Sequence, residues 1–445
     1  MRRRHTYARK IRLADVPFLI VNRRVFATAG IGCALGAALA IVFRPSIYPT
    51  YVEGIAYLLI AKLDFRWIPV YYAGRVFHPL VVRAVAHLFH VPIDAHPFLW
   101  VSAASLIVFL GGLGAYYGLD FPSTPSLWLL LTVTATVMDQ YRNYYWHDLF
   151  YAALCALFFL ALRANWWLAL PIVFLLYVTR ESTIVLVVAL VAITALRRQW
   201  AFCLSAVAVG LAGMGTEAAL LRHALPNSHR ISMVLLDALK IPYNFAFNIL
   251  GLEFWTNDNA ATNSAPIWVV NLPAWLHLGT IHQVGFSGFF WDWPVRTLVL
   301  LCTAFGILPL VVIRSARQWR RALEARFDVA AACVYGTLMF ILAPLQGTAP
   351  ARYILYAWPL FWIFGVAELE AMIPERRRRI AIVALSLCAA WVPALVRLAM
   401  TRSAPYGPES LSDVSNKGLL ISLALVAAIY VWGWRITAPA QASRE

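Results

Sequence analysis

Apolar residues run almost without interruption through twelve stretches of this chain, each approaching the roughly 20 residues that a helix needs to cross a hydrocarbon core. The first is Val25 to Phe43, followed by Phe98 to Tyr117, Ser126 to Met138, Asp148 to Leu162, Trp166 to Val178, Ser182 to Leu196 and Ala201 to Leu221. The rest are Val295 to Ile313, Val329 to Leu345, Ile354 to Leu369, Ile380 to Met400 and Gly418 to Trp434. Backbone amides in hydrocarbon must be satisfied within the chain itself, so the pattern predicts an all-α integral membrane protein of about 12 transmembrane helices. Two segments depart from it. Residues 44–97 are amphipathic, with predicted interfacial helices at Tyr51 to Lys62 and Phe77 to His90 and with Trp67, Tyr71 and Tyr72 as interfacial anchors. Residues 222–294 are rich in Asn, Trp and Phe. Both read as outer loops of a single polytopic domain, 25–434, between a basic N-terminus, 1–24, and a tail, 435–445.

Composition supports this reading. Of 445 residues, 62% are hydrophobic and 13% charged, more apolar surface than a soluble domain of this length buries, so a soluble enzyme is excluded. The formal charge of +16 resides in short segments between apolar runs, where the positive-inside rule accounts for it and nucleic acid is not implied. Starting from a cytoplasmic MRRRHTYARKIRL, read as the flank of an uncleaved first helix, the inner segments carry Arg197 and Arg198, then RSARQWRRALEAR, ERRRR and Arg435. Both termini are then cytoplasmic. The turn GLDFPSTPS is the exception, assigned to the inside without a basic residue. Cys33, Cys155, Cys203, Cys302, Cys333 and Cys388 lie in apolar stretches without the close pairing of zinc sites and read as core packing residues.

Candidate chemistry concentrates on the outer side. A 14-residue helix covers roughly 21 Å of a core about 30 Å thick, so the short third to sixth helices should have recessed outer ends. Their connections, MDQYRNYYWHD and VTRES, then hold Asp139, Arg142, His147, Asp148, Arg180 and Glu181 in a polar recess. Structurally, Arg180 and Glu181 would pair across their turn and Asp148 would sit on a helix dipole. Functionally, charges of both signs suit a phosphorylated substrate whose lipid tail stays in the bilayer. Glu53, soon after the first helix, is the candidate base, either taking a proton from an attacking hydroxyl or lying on the solvated face of an interfacial helix. Asp64 lies 11 residues on, along the same predicted face but about 16 Å away by helical rise, too far for a carboxylate pair. His78, His87, His90 and His96 lack ligand spacing and read as interfacial packing. No G-x-x-x-x-G-K-[ST] occurs, and the glycines of VGLAGMG suit close helix packing.

Four segments together resemble the GT-C superfamily of polytopic glycosyltransferases, particularly its bacterial mannosyltransferase-like and arabinosyltransferase-like branches. YVEGIAYLLIAKLDFRWIPVYYAGRVFHPLV is similar to the family's first outer loop, with Glu53 in the acidic position. HDLFYAALCALFFLALRA and VFLLYVTRESTIVL resemble an acidic helix start and a later Arg–Glu turn, mapping to Asp148, Arg180 and Glu181. TAPARYILYAWPLFWIF is similar to the late Arg and Tyr segment and marks Arg352 and Tyr353. The resemblance implies inverting transfer from a polyprenyl-phosphate-sugar donor to a glycan, lipid or protein acceptor in a bacterial-type inner membrane. Glu53 would be the catalytic base, Arg180, Arg352 and Arg75 would hold the phosphate, and Asp64, Asp148, Glu181 and Tyr353 would complete substrate binding. Metal use varies in that superfamily; the chain has Glu where Asp is usual and no adjacent acidic pair, so no metal ligand is assigned and a divalent cation is left open. A secondary transporter is the alternative from another class, but it should show paired repeats, and none is evident. A glycan polymerase or ligase is the enzyme alternative, supported by Arg222, His223, His229, Arg230, His277 and His282 in the second outer loop.

Overall fold

The structure, a computed structural model, describes residues 23–47, 52–68, 70–121, 124–222, 233–257, 265–277, 281–346, 350–401 and 414–438. Most of the basic N-terminus, the end of the tail, and His223, His229 and Arg230 lie outside the described residues, as does the side chain of Tyr71.

Helix α1 (Arg23–Val42) leads to residues 44–97, expected from the sequence to form the first outer segment, which hold α2 (Val52–Ala61), α3 (Val70–Ala73) and α4 (Phe77–Leu88). The two amphipathic helices predicted there are present, each ending slightly earlier than its apolar pattern. Trp67 is exposed as an anchor should be, whereas Tyr72 and His78 are buried; His78 packs between Tyr57, Phe98 and Phe150 instead of at an interface. The bundle continues with α5 (Ala95–Asp120), α6 (Pro125–Leu129), α7 (Ala135–Arg142), α8 (Asp148–Ala164), α9 (Trp166–Tyr177), α10 (Thr183–Leu196), α11 (Trp200–Leu221) and α12 (Met233–Leu250). After the second outer segment come α13 (Asp292–Thr303), α14 (Leu308–Arg314), α15 (Trp319–Ala325), α16 (Phe327–Leu342), α17 (Pro350–Ile354), α18 (Val366–Met372), α19 (Arg376–Thr401) and α20 (Asn416–Ile436).

The protein is thus an all-α polytopic membrane protein, with seven described helical segments long and apolar enough to cross a membrane. The expected regular third span, Ser126 to Met138, is broken. After α6 and a 3-10 turn at Leu130–Thr132 the chain kinks, and Thr134 caps α7 by accepting from the Val137 amide at 3.3 Å. Trp391 Nε1 donates to the Val133 carbonyl at 2.8 Å, supplying a partner that the interrupted helix does not. The span expected at Val295 to Ile313 is also broken, α13 and α14 being bent by 79°. Gly306 makes this bend at φ +59°, where a Cβ would lie 1.9 Å from Ser386 Oγ. Between α17 and α18 the chain passes through a 3-10 turn, Leu355–Ala357, and a π-helical turn, Pro359–Gly365, a form often found near functional sites.

The segment 222–294, expected to be the second outer loop, departs from an all-helical reading. It carries a three-stranded antiparallel sheet, ordered β1 (Leu252–Thr256), β3 (Gln283–Phe289), β2 (Trp268–Asn271). Of the cysteines, Cys155, Cys203 and Cys333 are buried, but Cys33 and Cys388 are exposed, so the uniform core assignment does not hold.

The exceptional turn after α5 takes its cations from elsewhere in the chain. Asp120 accepts from Arg163 at 3.3 Å and from Arg326 at 2.7 Å. Arg379 Nη1 donates to Thr124 at 3.0 Å and to Glu370 at 2.8 Å. Arg197 meets the Leu323 carbonyl and Arg378 the Ala438 carbonyl, so the basic segments converge on one end of the bundle. Asp148 and Arg163 stand at opposite ends of the 17-residue α8, which puts Asp148, with Arg180 and Arg352 bound to it, at the other end.

Helices α1 and α5 approach closely enough that Gly114 has no room for a side chain, an added Cβ falling 2.3 Å from the Thr28 carbonyl oxygen, while one at Gly30 meets nothing within 4 Å. Gly114→Val is expected to destabilise the protein by about 1–3 kcal/mol through overpacking, and Gly30→Val by less than about 0.5 kcal/mol. Thermal unfolding of the two variants in one detergent checks the difference.

Candidate functional site

Asp148 opens α8, where the helix dipole favours a carboxylate, and its side chain is wholly removed from solvent. A buried carboxylate requires ionic partners, and Asp148 has two. Its Oδ1 accepts from Arg180 Nη1 at 2.5 Å and its Oδ2 from Arg352 Nε at 3.0 Å. The Tyr356 hydroxyl also donates to Oδ1 and accepts from Arg180 Nη1 at 2.6 Å. Arg180 Nη1 also lies 2.8 Å from His147 Nε2, so its two N–H groups are shared among three acceptors.

Local structure delivers each of these groups. The backbone of Arg180 extends the last turn of α9, bonding the Leu176 carbonyl at 2.9 Å, and Thr183 Oγ1 returns to the Arg180 carbonyl at 2.8 Å to close the turn into α10. The guanidinium of Arg180 stacks over Tyr353 and Tyr356, 4.9 and 4.8 Å from their ring centres, and that of Arg352 over Trp146 at 4.1 Å. Arg352 then reaches outward, Nη1 donating at 2.5 Å to Oε2 of Glu53 in the first turn of α2. Beside this chain of charges, Arg75 makes a two-point pair with Glu181, one bond at 2.8 Å, and donates to the Tyr57 hydroxyl at 3.3 Å. The Tyr57 ring meets His147 edge-on, centres 5.4 Å apart, which joins the two networks.

Glu53, Asp148, Arg180 and Arg352 therefore form one continuous cluster, with Tyr353 supplying a ring face and Arg75 and Glu181 adjoining. The pairing expected between Arg180 and Glu181 does not form, because consecutive residues project in different directions; Arg180 turns inward to Asp148 and Glu181 across to Arg75. Asp64 stands apart. Helix α2 ends at Ala61 and Leu63 adopts φ +61°, so Asp64 does not continue the face that bears Glu53. It pairs with Arg66 at 3.0 Å, and that hydrogen bond holds its carboxyl below the usual carboxylate range, unsuited to taking a proton.

Tyr57 and Tyr356 are not among the candidate residues of the sequence, and His147 enters there only as an ionisable group. A signal for both tyrosines was present: each follows a charged site residue by four positions, Glu53 then Tyr57 and Arg352 then Tyr356, which places it one helical turn along the same face. Among the described residues no three His, Cys, Asp or Glu side chains gather as a metal ligand set. The two clustered carboxylates, Asp148 and Glu53, are instead joined through Arg352, which does not fit a divalent-cation site.

No family model matches the chain, and no curated protein matches it. Among solved structures it is similar to ArnT from Cupriavidus metallidurans in the apo state, at 15% identity and a TM-score of 0.47, covering 92% of this chain and 76% of that one. It is also similar to the same protein bound to undecaprenyl phosphate, at 14% identity and a TM-score of 0.42, covering 94% of this chain and 77% of that one.

Removing one partner of a buried pair strands the other. Arg180→Met is accordingly expected to lower stability by about 3–5 kcal/mol, whereas Arg66→Ala, at an exposed pair, should leave it essentially unchanged. Denaturation of both variants against the parent, followed by tryptophan fluorescence, tests the contrast.

Proposed function

We propose that this chain is a membrane-embedded inverting glycosyltransferase that moves a sugar from a polyprenyl-phosphate donor to a hydroxyl of a glycan, lipid or protein acceptor. The observation that carries the reading is the convergence of Arg180 and Arg352 beside the partly exposed carboxylate of Glu53. Each arginine retains a buried N–H without a partner, Arg180 at Nε and Arg352 at Nη2. Buried N–H groups left unmatched in a folded protein are suited to an incoming acceptor, and a phosphate presents several anionic oxygens to them.

In this mechanism the acceptor oxygen bonds to the anomeric carbon on the face opposite the phosphate. The anomeric carbon–oxygen bond to the phosphate breaks, its electron pair remains on the leaving oxygen, and Arg180 and Arg352 stabilise the charge that develops there. The hydroxyl proton passes to Glu53, an assistance worth roughly 10²–10⁴-fold. Arg75, occupied by Glu181 and Tyr57, shapes the wall beside His147 in this reading and leaves the phosphate to the other two arginines. The site lies at the end of the bundle away from the convergent basic segments, so the positive-inside rule supports an outer-face site with cytoplasmic termini in a plasma membrane. A membrane-embedded site also leaves the lipid tail of the donor in the bilayer.

The test is transfer of labelled sugar from a panel of short-chain polyprenyl-phosphate sugars in reconstituted vesicles. Transfer by the parent protein is expected, with Glu53→Gln reducing the rate by about 10²-fold or more and leaving donor binding no weaker. Full activity in Glu53→Gln would remove Glu53 as the base. Absence of transfer from every donor, with substrate flux across the vesicles, would replace this reading with transport.

A further inference from the structure

The guanidinium of Arg352 is divided in its use. Nε is committed to Asp148 at 3.0 Å, deep in the bundle. Of the other two nitrogens, Nη1 is held by Glu53 and Nη2 is buried without a partner. A phosphate binds an arginine most strongly through two parallel N–H bonds. The Nη1 and Nη2 pair is the edge of Arg352 on which both nitrogens can be freed without breaking the bond to Asp148, and half of it is occupied by Glu53.

The flanking contacts favour a change at Glu53. Asp148 has no exposed side-chain surface and Arg352 has 6%, whereas Glu53 retains 25%. Separating Arg352 from Asp148 would strand a fully buried charge, but separating it from Glu53 releases a carboxylate that water already reaches. Trp146 stacks on the face of Arg352, centre 4.1 Å away, which restricts rotation of the guanidinium plane and leaves the Nη1 contact with Glu53 as the exchangeable one.

We infer that Arg352 is a phosphate-operated clasp on Glu53: the donor phosphate takes the whole Nη1 and Nη2 edge, expels the carboxylate, and thereby frees the base only when the donor is bound. This inference rests on the transferase reading for its purpose, but the exchange is a binding event and is measurable without transfer. While Arg352 Nη1 holds its Oε2, the Glu53 carboxylate is engaged and not open to an acceptor hydroxyl, so a site without donor is held inactive by the same contact that donor binding removes. Acceptor hydroxyls, water included, meet an available base only beside a bound donor.

Competition for one edge of one residue makes a specific thermodynamic pattern. Equilibrium binding of farnesyl phosphate to the full chain in lipid nanodiscs should tighten on Glu53→Gln, roughly 3- to 30-fold, because the phosphate no longer displaces a charged partner. Arg352→Gln should weaken binding, and in that background Glu53→Gln should have less than about twofold further effect. If Arg352→Gln does not fold, Arg352→Lys retains a cation for Asp148 without a two-nitrogen edge, and the effect of Glu53→Gln should shrink there as well. An undiminished effect in the folded Arg352 variant would show that Glu53 simply repels phosphate, and would overturn the clasp. So would unchanged or weaker binding in Glu53→Gln, or no binding of farnesyl phosphate by the parent. Coupling without transfer from any donor would keep the clasp and remove the transferase; transfer without coupling would do the reverse.

Discussion

Everything at the Asp148 end of the bundle depends on one carboxylate that cannot be left alone. Asp148 is fully buried, and an ion of that size withdrawn from water without compensation costs several kcal/mol. Its compensation comes from Arg180, at the junction of α9 and α10, and Arg352, in α17, two elements remote in sequence from it and from each other. Neither can withdraw without exposing the deficit, so the pairing fixes where three segments meet. Through Arg352 the constraint reaches a fourth, the start of α2. The irregular backbone nearby is consistent with this demand: the 3-10 and π turns between α17 and α18 follow the segment that brings Arg352 and Tyr356 to the same carboxylate.

The opposite end solves a related problem by different means. Asp120 and Asp328 share Arg326, Tyr116 donates to Asp328 at 2.5 Å, and Arg163 completes the group. Arg163 and Arg326 keep 29% and 28% of their side chains exposed, so water can serve the N–H groups that the carboxylates do not, whereas Arg180 Nε and Arg352 Nη2 are buried without a partner. Satisfied networks join helices, whereas unsatisfied ones call for a ligand. Two clusters with the same residue types thus separate into a structural tie and a candidate site by whether water reaches their remaining donors.

The sequence shows the helices well where burial and apolarity coincide. Phe98 to Tyr117 lies within α5, and both amphipathic helices of the first outer segment are found within a few residues of the expected ends. It conceals breaks, because an apolar run looks the same whether or not its backbone bends; the interruption near Val133 and the bend at Gly306 depend on Trp391 and Ser386, both distant in sequence. The sheet is hidden for a similar reason. Its strands are short and β3 pairs with both neighbours across long loops, so no local alternation identifies it. At the site the charged residues were readable because ionisable groups in apolar surroundings are conspicuous. Their partners were not: adjacency suggested Arg180 with Glu181, while the actual pairs span from α8 to the α9 and α10 turn and from the first outer segment to that same turn.

Burial falls steadily along the chain of charges, from Asp148 through Arg352 to Glu53, and this ordering determines which contact a ligand can change. In a site of uniform burial, a phosphate would have to disrupt pairs of similar strength, and binding would disturb the fold as readily as the chemistry. Here the innermost pair is worth most because its loss strands a charge in a low-dielectric interior, and the outermost is worth least because water shares it. An anion entering from the exposed side therefore meets the weakest link first. A single arginine can then serve both ends of the gradient, anchoring the fold through Nε and remaining exchangeable through Nη1 and Nη2, which a lysine with one nitrogen cannot do.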